Sequence, residues 1–257
     1  MSSTTQPGNA LLAFDVGGSY VKAGLVDVER GSVVGEVVRR PTPPGATPEG
    51  VLDLLVDVAH SLPASGPIGL AFPVVAKQGI ACTAANIDHR WIGLNVQAHL
   101  TERLRRPVAF LNDADAAGIA EMTFGAGRTR QKGVVLLLTL GTGIGSALFL
   151  DGRLVPNTEL GHLEVGGQEA EHRASGKVKT DRGLDWDAWA AELNVVLAEY
   201  QSLLWPDAFI IGGGVTENWA HFGSLLVSRA EIVPAEFRNE AGIVGAAMAA
   251  AALVQPR

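Results

Sequence analysis

LLLTLGTGIGSALFLDGRLVPNTELGH, residues 136–162, is the stretch that decides the fold. An apolar run ends in Gly141-Thr-Gly143-Ile-Gly145, and a second run, Ser146–Leu150, follows at once and closes on Asp151-Gly152. This reads as a strand, a glycine turn, a second strand and a tight hairpin turn. Glycines in such a turn let backbone N–H groups approach phosphate oxygens with no Cβ in the way. A dinucleotide fingerprint is excluded by context: its last position here is Ser146, and a strand rather than a helix follows the glycines. No GxxxxGK[ST] occurs, which excludes a P-loop. Past the hairpin, Glu159 and His162 flank Gly161 at a spacing that lets both converge on neighbouring hydroxyls of a polyol.

The pattern has a counterpart near the start, LLAFDVGGSYVKAGLVD, residues 11–27. Asp15 ends a strand, and Gly17 and Gly18 open the turn. Ser19 offers a hydroxyl, Lys22 a positive charge, and Asp15 a carboxylate able to hold Mg²⁺ through water. Gly-Gly between strands is equally the mark of an ordinary hairpin. Two phosphate-type turns predict two similar halves facing one ligand. Between them, AFLNDADAAG delivers Asn112 and Asp113 to a helix start. Asn there can bond a hydroxyl and ionised Asp can take an alcohol proton, while both are also natural helix caps. Glu171 in EAEHRASG and Asn86 in TAANIDHRWIG are further candidates for a polyol.

Strand and helix signals alternate through the chain, which predicts an α/β protein. Expected strands are 11–16, 23–26, 32–39, 67–72, 108–111, 133–140, 146–150 and 209–211; expected helices are 47–60, capped by Thr47, then 113–124, 185–204 and 241–253. The halves are placed at 1–112 and 113–240, with a terminal helix over 241–257 packing back on the first.

The chain has 257 residues, 47% of them hydrophobic, enough for a large core. No apolar run reaches the length of a membrane span, and MSSTTQPGNA has neither a basic nor an apolar leader region, which predicts a cytoplasmic protein. The single cysteine, Cys82, excludes an internal disulfide and a multi-cysteine zinc site. A net charge of −7 argues against nucleic acid as a partner, while leaving room for a local basic groove.

Taken together, DVGGSYVK, LNDADAAG, LGTGIGSALFLDGRLVPNTELGH, FIIGGGV and RNEAGIVGAA resemble the ROK family of sugar kinases and repressors, and within it the polyphosphate-using branch. The resemblance runs from about residue 11 to 250. It implies the actin-like (ribonuclease H-like) ATPase fold, two similar α/β domains around a cleft. The implied activity is phosphorylation of glucose at its 6-hydroxyl by inorganic polyphosphate and ATP. The alternatives are an ATP-dependent kinase for mannose or another hexose, and a non-catalytic sugar sensor. Carried over by position, Asp113 is the general base, and Asn112, Glu159, His162, Glu171 and Asn86 bind the sugar. Asp15, Gly17, Gly18, Ser19, Lys22, Thr142 and Gly143 surround the transferred phosphoryl group and its Mg²⁺. Gly213 and Gly214 approach a nucleotide or a distal phosphate. A homodimer is implied as well. Repressors of the family need a helix-turn-helix ahead of the first strand, and only about ten residues precede it here.

Two departures matter. Most family kinases carry CxCGxxGC just before the glutamate matching Glu171 and bind zinc there, with the ELGH histidine as a ligand. VGGQEAEH has no cysteine, so no zinc is expected and another acceptor must fix the tautomer of His162. In AFPVV, Val74 stands where relatives have glycine, a Cβ beside the expected sugar loop. A polyphosphate chain needs a track of cations, for which the candidates are Arg128, Arg130 and Lys132 in one loop and Arg173, Lys177, Lys179 and Arg182 in another. Solvated loop charge is the competing reading for each.

Overall fold

A computed structural model describes residues 10–85 and 87–254. The chain is mixed α/β and divides into two compact units, Met1–Ala116 with Gly242–Arg257, and Ala117–Ala241.

In the first unit, β1 (Ala10–Val16) lies at the centre of a five-stranded sheet with β2 (Tyr20–Asp27), β3 (Ser32–Pro41) and β4 (Ile68–Phe72). A small hairpin, β5 (Ala76–Lys77) and β6 (Ile80–Ala81), precedes the fifth strand, β7 (Val108–Asn112). The order is β3-β2-β1-β4-β7, antiparallel from β3 to β1 and parallel from β1 to β7. β1 is buried at Leu12, Ala13 and Phe14, as a central strand covered on both faces must be. Helices α1 (Pro48–Ser61) and α2 (Val96–Leu104) supply Val51, Leu52, Leu55, Val96 and Leu100 to the core, and α3 (Asp113–Phe124) follows β7 without a break. Thr47 caps α1 by accepting from Gly50 N–H at 3.3 Å, a bond worth about 1 kcal/mol. The last helix, Ala241–Ala251, packs so closely that a Cβ on Gly69 would strike the Ala246 carbonyl and one on Gly245 the Ala116 carbonyl.

In the second unit, β8 (Val134–Leu140), β9 (Ile144–Leu150) and β10 (Arg153–Val155) form the antiparallel part. Asp151 and Gly152 turn between β9 and β10 with φ of 49° and 73°, the left-handed pair that a two-residue hairpin favours. A hairpin of β11 (Glu164–Val165) and β12 (Gln168–Glu169) leads into the short helices α4 (Ala170–Ala174) and α5 (Gly176–Asp181). The long helix α6 (Trp186–Leu204) is capped by Asp185, which accepts from Ala188 N–H at 2.8 Å. β13 (Ala208–Gly212), α7 (Trp219–Phe222) and β14 (Glu231–Pro234) complete the unit. Its sheet order, β10-β9-β8-β13-β14, repeats that of the first unit strand for strand, with β13 parallel to both neighbours. Trp189, Tyr200, Phe209 and Phe222 fill the core.

The main strands lie where the apolar runs predict, with shifted ends: 23–26 extends to Tyr20–Asp27, 146–150 begins at Ile144, and 67–72 and 133–140 each begin one residue later. Between Pro73 and Pro107 the structure adds β5, β6 and α2, and past Phe209–Ile211 it adds α7 and β14. No helix among the described residues is long and apolar enough to cross a membrane.

Candidate active site

In the first unit the glycine turn is pinned from one side. Gly17 N–H donates to the Tyr20 carbonyl at 2.9 Å, Thr42 N–H to the Ser19 carbonyl at 3.0 Å, and the Thr42 hydroxyl to the Gly17 carbonyl at 2.6 Å. Gly18 and Ser19 are exposed, and a Cβ on Gly18 would meet only open space. Lys22 lies across β1 and β2 from Asp15, with its ammonium donating to the carboxylate at 3.0 Å. The other side of that carboxylate faces the start of the last helix, where a Cβ on Gly242 would stand 2.8 Å from Asp15 Cγ. Such a carboxylate, beside an open turn, offers the hard oxygen donor that suits Mg²⁺ bound through water.

β7 ends by presenting Asn112 and Asp113. Asn112 is 6% exposed; its Oδ1 accepts from Ala114 N–H at 2.9 Å and Asp115 N–H at 3.1 Å, and its amide donates to the Val74 carbonyl at 3.1 Å. It is therefore the cap of α3, with one amide hydrogen left for a ligand. Asp113 is half-buried, and one oxygen accepts from Ala114 N–H at 2.9 Å. The Val74 side chain is buried in the core, and its carbonyl accepts from the Asn112 amide. Asn86 lies outside the described residues.

In the second unit, Glu159 precedes a single 3₁₀ turn, Leu160–His162. Three bonds from the strand behind hold this loop. Ser146 Oγ donates to the Thr158 carbonyl at 2.6 Å and accepts from Leu160 N–H at 3.1 Å, and the Thr158 hydroxyl donates to the Ser146 carbonyl at 3.0 Å. From α6, the buried Tyr200 hydroxyl donates to the Leu160 carbonyl at 2.7 Å, and burial first, then the Glu171 charge, pushes its pKa up. Gly161 has no room for a side chain, because a Cβ would strike the Ile144 carbonyl.

His162 sits among carboxylates. Its Nδ1 is 3.2 Å from Glu169 and 3.9 Å from Glu171, and its Nε2 is 3.8 Å from Glu159. Partial burial works to lower its pKa and is outweighed by the Glu169 hydrogen bond and the fields of Glu171, Glu169 and Glu159, so the net shift is upward. Glu159 is also raised, by burial first and the nearby Glu171 charge, with His162 opposing. Ligand atoms of His162, Glu169 and Glu171 lie within 4.8 Å of one another, a spacing that would admit a cation, but the same atoms make the His162–Glu169 bond. Glu169 thus answers the question of what orients His162: accepting from Nδ1–H, it leaves Nε2 as the ring's outward nitrogen.

Glu171 joins this loop to the second glycine turn. One oxygen accepts from Ile144 N–H at 3.3 Å, and a Cβ on Gly143 would run into the same carboxylate. Thr142 is exposed at the turn, and Lys177 N–H at the start of α5 donates to the Gly141 carbonyl at 2.9 Å. Gly213 has φ +87° and packs on the Leu140 backbone with no space for a Cβ, while Gly214 is open.

Three carboxylates lie against four of the seven cations of the expected track. Arg130 is paired with Glu231, Arg173 with Glu192, and Lys177 with Asp181, and Arg182 approaches Glu192 at 4.0 Å. Lys179 lies over the Trp186 ring, 3.9 Å from its centroid. Arg128 and Lys132 are exposed.

The structure therefore brings together Asp15, Lys22, Gly17 and Gly18, and separately Glu159, His162, Glu171 and Gly143. Sequence reasoning missed Glu169, Ser146, Thr158 and Tyr200. The last acts across 40 positions and leaves no local trace.

The family described as ROK matches residues 11–179. Over 239 residues the chain is 46% identical to a polyphosphate glucokinase of Mycobacterium tuberculosis, covering 93% of this chain and 90% of that protein. Against the polyphosphate glucokinase of Mycobacterium leprae the identity is 44%, covering 93% and 74%. Among solved structures, the inorganic polyphosphate/ATP-glucomannokinase of Arthrobacter sp. superposes with a TM-score of 0.91 at 44% identity, covering 96% of this chain and 100% of that one. A ROK family glucokinase from Streptomyces griseus, in complex with glucose and AMPPNP, gives a TM-score of 0.78 at 25% identity, covering 93% and 98%. The fold shared with these sugar kinases is the actin-like ATPase fold.

Proposed function

The chain belongs to the ROK family, and from that membership we propose that it is a kinase that phosphorylates glucose at the 6-hydroxyl, with inorganic polyphosphate and ATP as donors. The observation that carries the reading is Glu171, whose carboxylate touches the polyol loop at His162 and the phosphate turn at Gly143. Glu159, His162 and Glu171 bind sugar hydroxyls, and Asn112 adds its remaining amide hydrogen. Asp113 accepts the O6 proton as O6 forms its bond to phosphorus, and the bond to the leaving phosphate oxygen breaks. Gly17, Gly18, Ser19, Thr142 and Gly143 offer N–H and hydroxyl donors to the phosphoryl oxygens, with Lys22 adding charge. Gly213 and Gly214 admit a nucleotide or distal phosphate. Kinases of this kind depend on a divalent cation; here Mg²⁺, which Asp15 would hold through water, neutralises charge on the phosphoryl oxygens when bound. The enzyme acts in the cytoplasm as a homodimer. Similarity to a glucomannokinase favours mannose as a second sugar.

The test supplies purified protein, Mg²⁺ and glucose with nucleotide-free polyphosphate or ATP separately, and measures glucose 6-phosphate. Product from polyphosphate alone supports the reading. Product from ATP alone removes polyphosphate, and product from neither removes the kinase.

A further inference from the structure

Arg39 stands beside the first glycine turn with no role so far. Strand register sets Asp15 opposite Lys22 and Lys22 opposite Arg39. Directly paired residues share a face, so the three side chains cross the sheet in one row. At about 4.8 Å per strand the row runs about 10 Å outward from Asp15. Its members differ in how their charge is spent. Lys22 and Asp15 neutralise each other at 3.0 Å. Arg39 has no carboxylate partner among the described residues; its guanidinium lies over the Tyr20 ring, 4.7 Å from the centroid. An aromatic seat holds a planar cation in place and leaves its in-plane N–H donors free for a phosphate. Tyr20 is 45% exposed, so the seat faces solvent.

The row and the turn are one structural piece. β3 carries Arg39 and ends two residues later, and Thr42, next in the chain, makes the two bonds that pin Gly17 and Ser19. In the second unit Arg130, Arg173 and Lys177 are by contrast each bonded to a carboxylate, while Lys179 has an aromatic seat of its own over Trp186.

We propose that Arg39, seated on Tyr20, forms a subsite for phosphoryl groups of the donor beyond the one transferred. Its ligand is a linear polyphosphate, met through paired N–H···O bonds from the guanidinium fork. This rests on polyphosphate being a donor.

The test compares wild type with R39A, R39E and R39K at saturating glucose, and measures polyphosphate binding by calorimetry without glucose. R39A should raise the KM for polyphosphate about tenfold and weaken its binding equally. Its kcat should stay within about twofold, because the contact is made before and during transfer alike. R39E should lose more, and R39K should recover part. Arg39 is exposed, so the unfolding midpoint should hold and report intact protein. Wild type that uses polyphosphate, with KM and binding unchanged in R39A and R39E, overturns the subsite alone. Wild type that neither uses nor binds polyphosphate overturns the donor reading and the subsite with it.

Discussion

Nδ1 of His162, at the end of the 3₁₀ turn ahead of β11, lies 3.2 Å from a carboxylate oxygen of Glu169 on β12. A side chain nearby in the chain thereby fixes the ring's orientation, a task commonly given to a carboxylate that accepts from a histidine's ring N–H. Glu169→Ala should raise the KM for glucose about tenfold, the cost of one charge-assisted bond. Glu169→Gln keeps an acceptor and should recover most of the loss. Steady-state kinetics with glucose varied checks both, and equal losses in the two variants would mean that charge rather than orientation matters.

The same pair makes a statement about pH. His162 is raised above its ordinary value, so its contribution to stability is fully present below the unfolded histidine pKa and is lost as pH rises through the higher folded one. The gap in unfolding midpoint between wild type and Glu169→Gln should therefore be widest in mild acid, above the carboxylate range, and close toward alkaline pH. Thermal melts across pH measure it, and a gap that widens with pH would reverse the assignment.

Asp113→Asn should cut kcat by about 10²–10⁴, the usual worth of a general base. Glucose binding should survive, since the α3 cap rests on Asn112. Single-turnover rates with calorimetric glucose binding separate the two, and lost binding with retained turnover would remove Asp113 from the role of base.

Gly143→Ala places a methyl group against the Glu171 carboxylate. Because that oxygen ends a flexible side chain, the fold should give way cheaply, within about 1 kcal/mol. The displaced carboxylate should nonetheless raise the KM for glucose about tenfold. A denaturant titration beside the kinetics reads both, and normal glucose affinity would show that Glu171 serves the turn and not the sugar.

How much of this was legible depends on distance along the chain. Thr47, Asp185 and Asp151-Gly152 act within three or four residues, and each does in the structure what its type and position predict. Helix α2 was legible in principle, with Val96, Leu100 and Leu104 on one buried face behind an Asn95 cap, but its polar remainder dilutes the signal. β5, β6, β11 and β12 are two residues long and owe their form to their partners. Within the site, Glu159, His162 and Glu171 stand out by motif, whereas Glu169 needs the register of the β11–β12 hairpin. In the basic loops the sequence counts cations, and only the fold reveals that Arg130 meets Glu231, 101 positions away.

The matching strand orders carry a consequence for descent. The first strand of each five-stranded sheet, β1 in one and β8 in the other, has seven residues and ends one residue before a glycine, as Val16 precedes Gly17 and Leu140 precedes Gly141. Two copies of one ancestral segment would leave this imprint. The two halves differ at the penultimate place of that strand, which holds Asp15 in one and Thr139 in the other. Only the first carries a charge there. The two strand ends are therefore inequivalent toward a hydrated cation, since a carboxylate can bind one through water and a threonine side chain carries no charge for it.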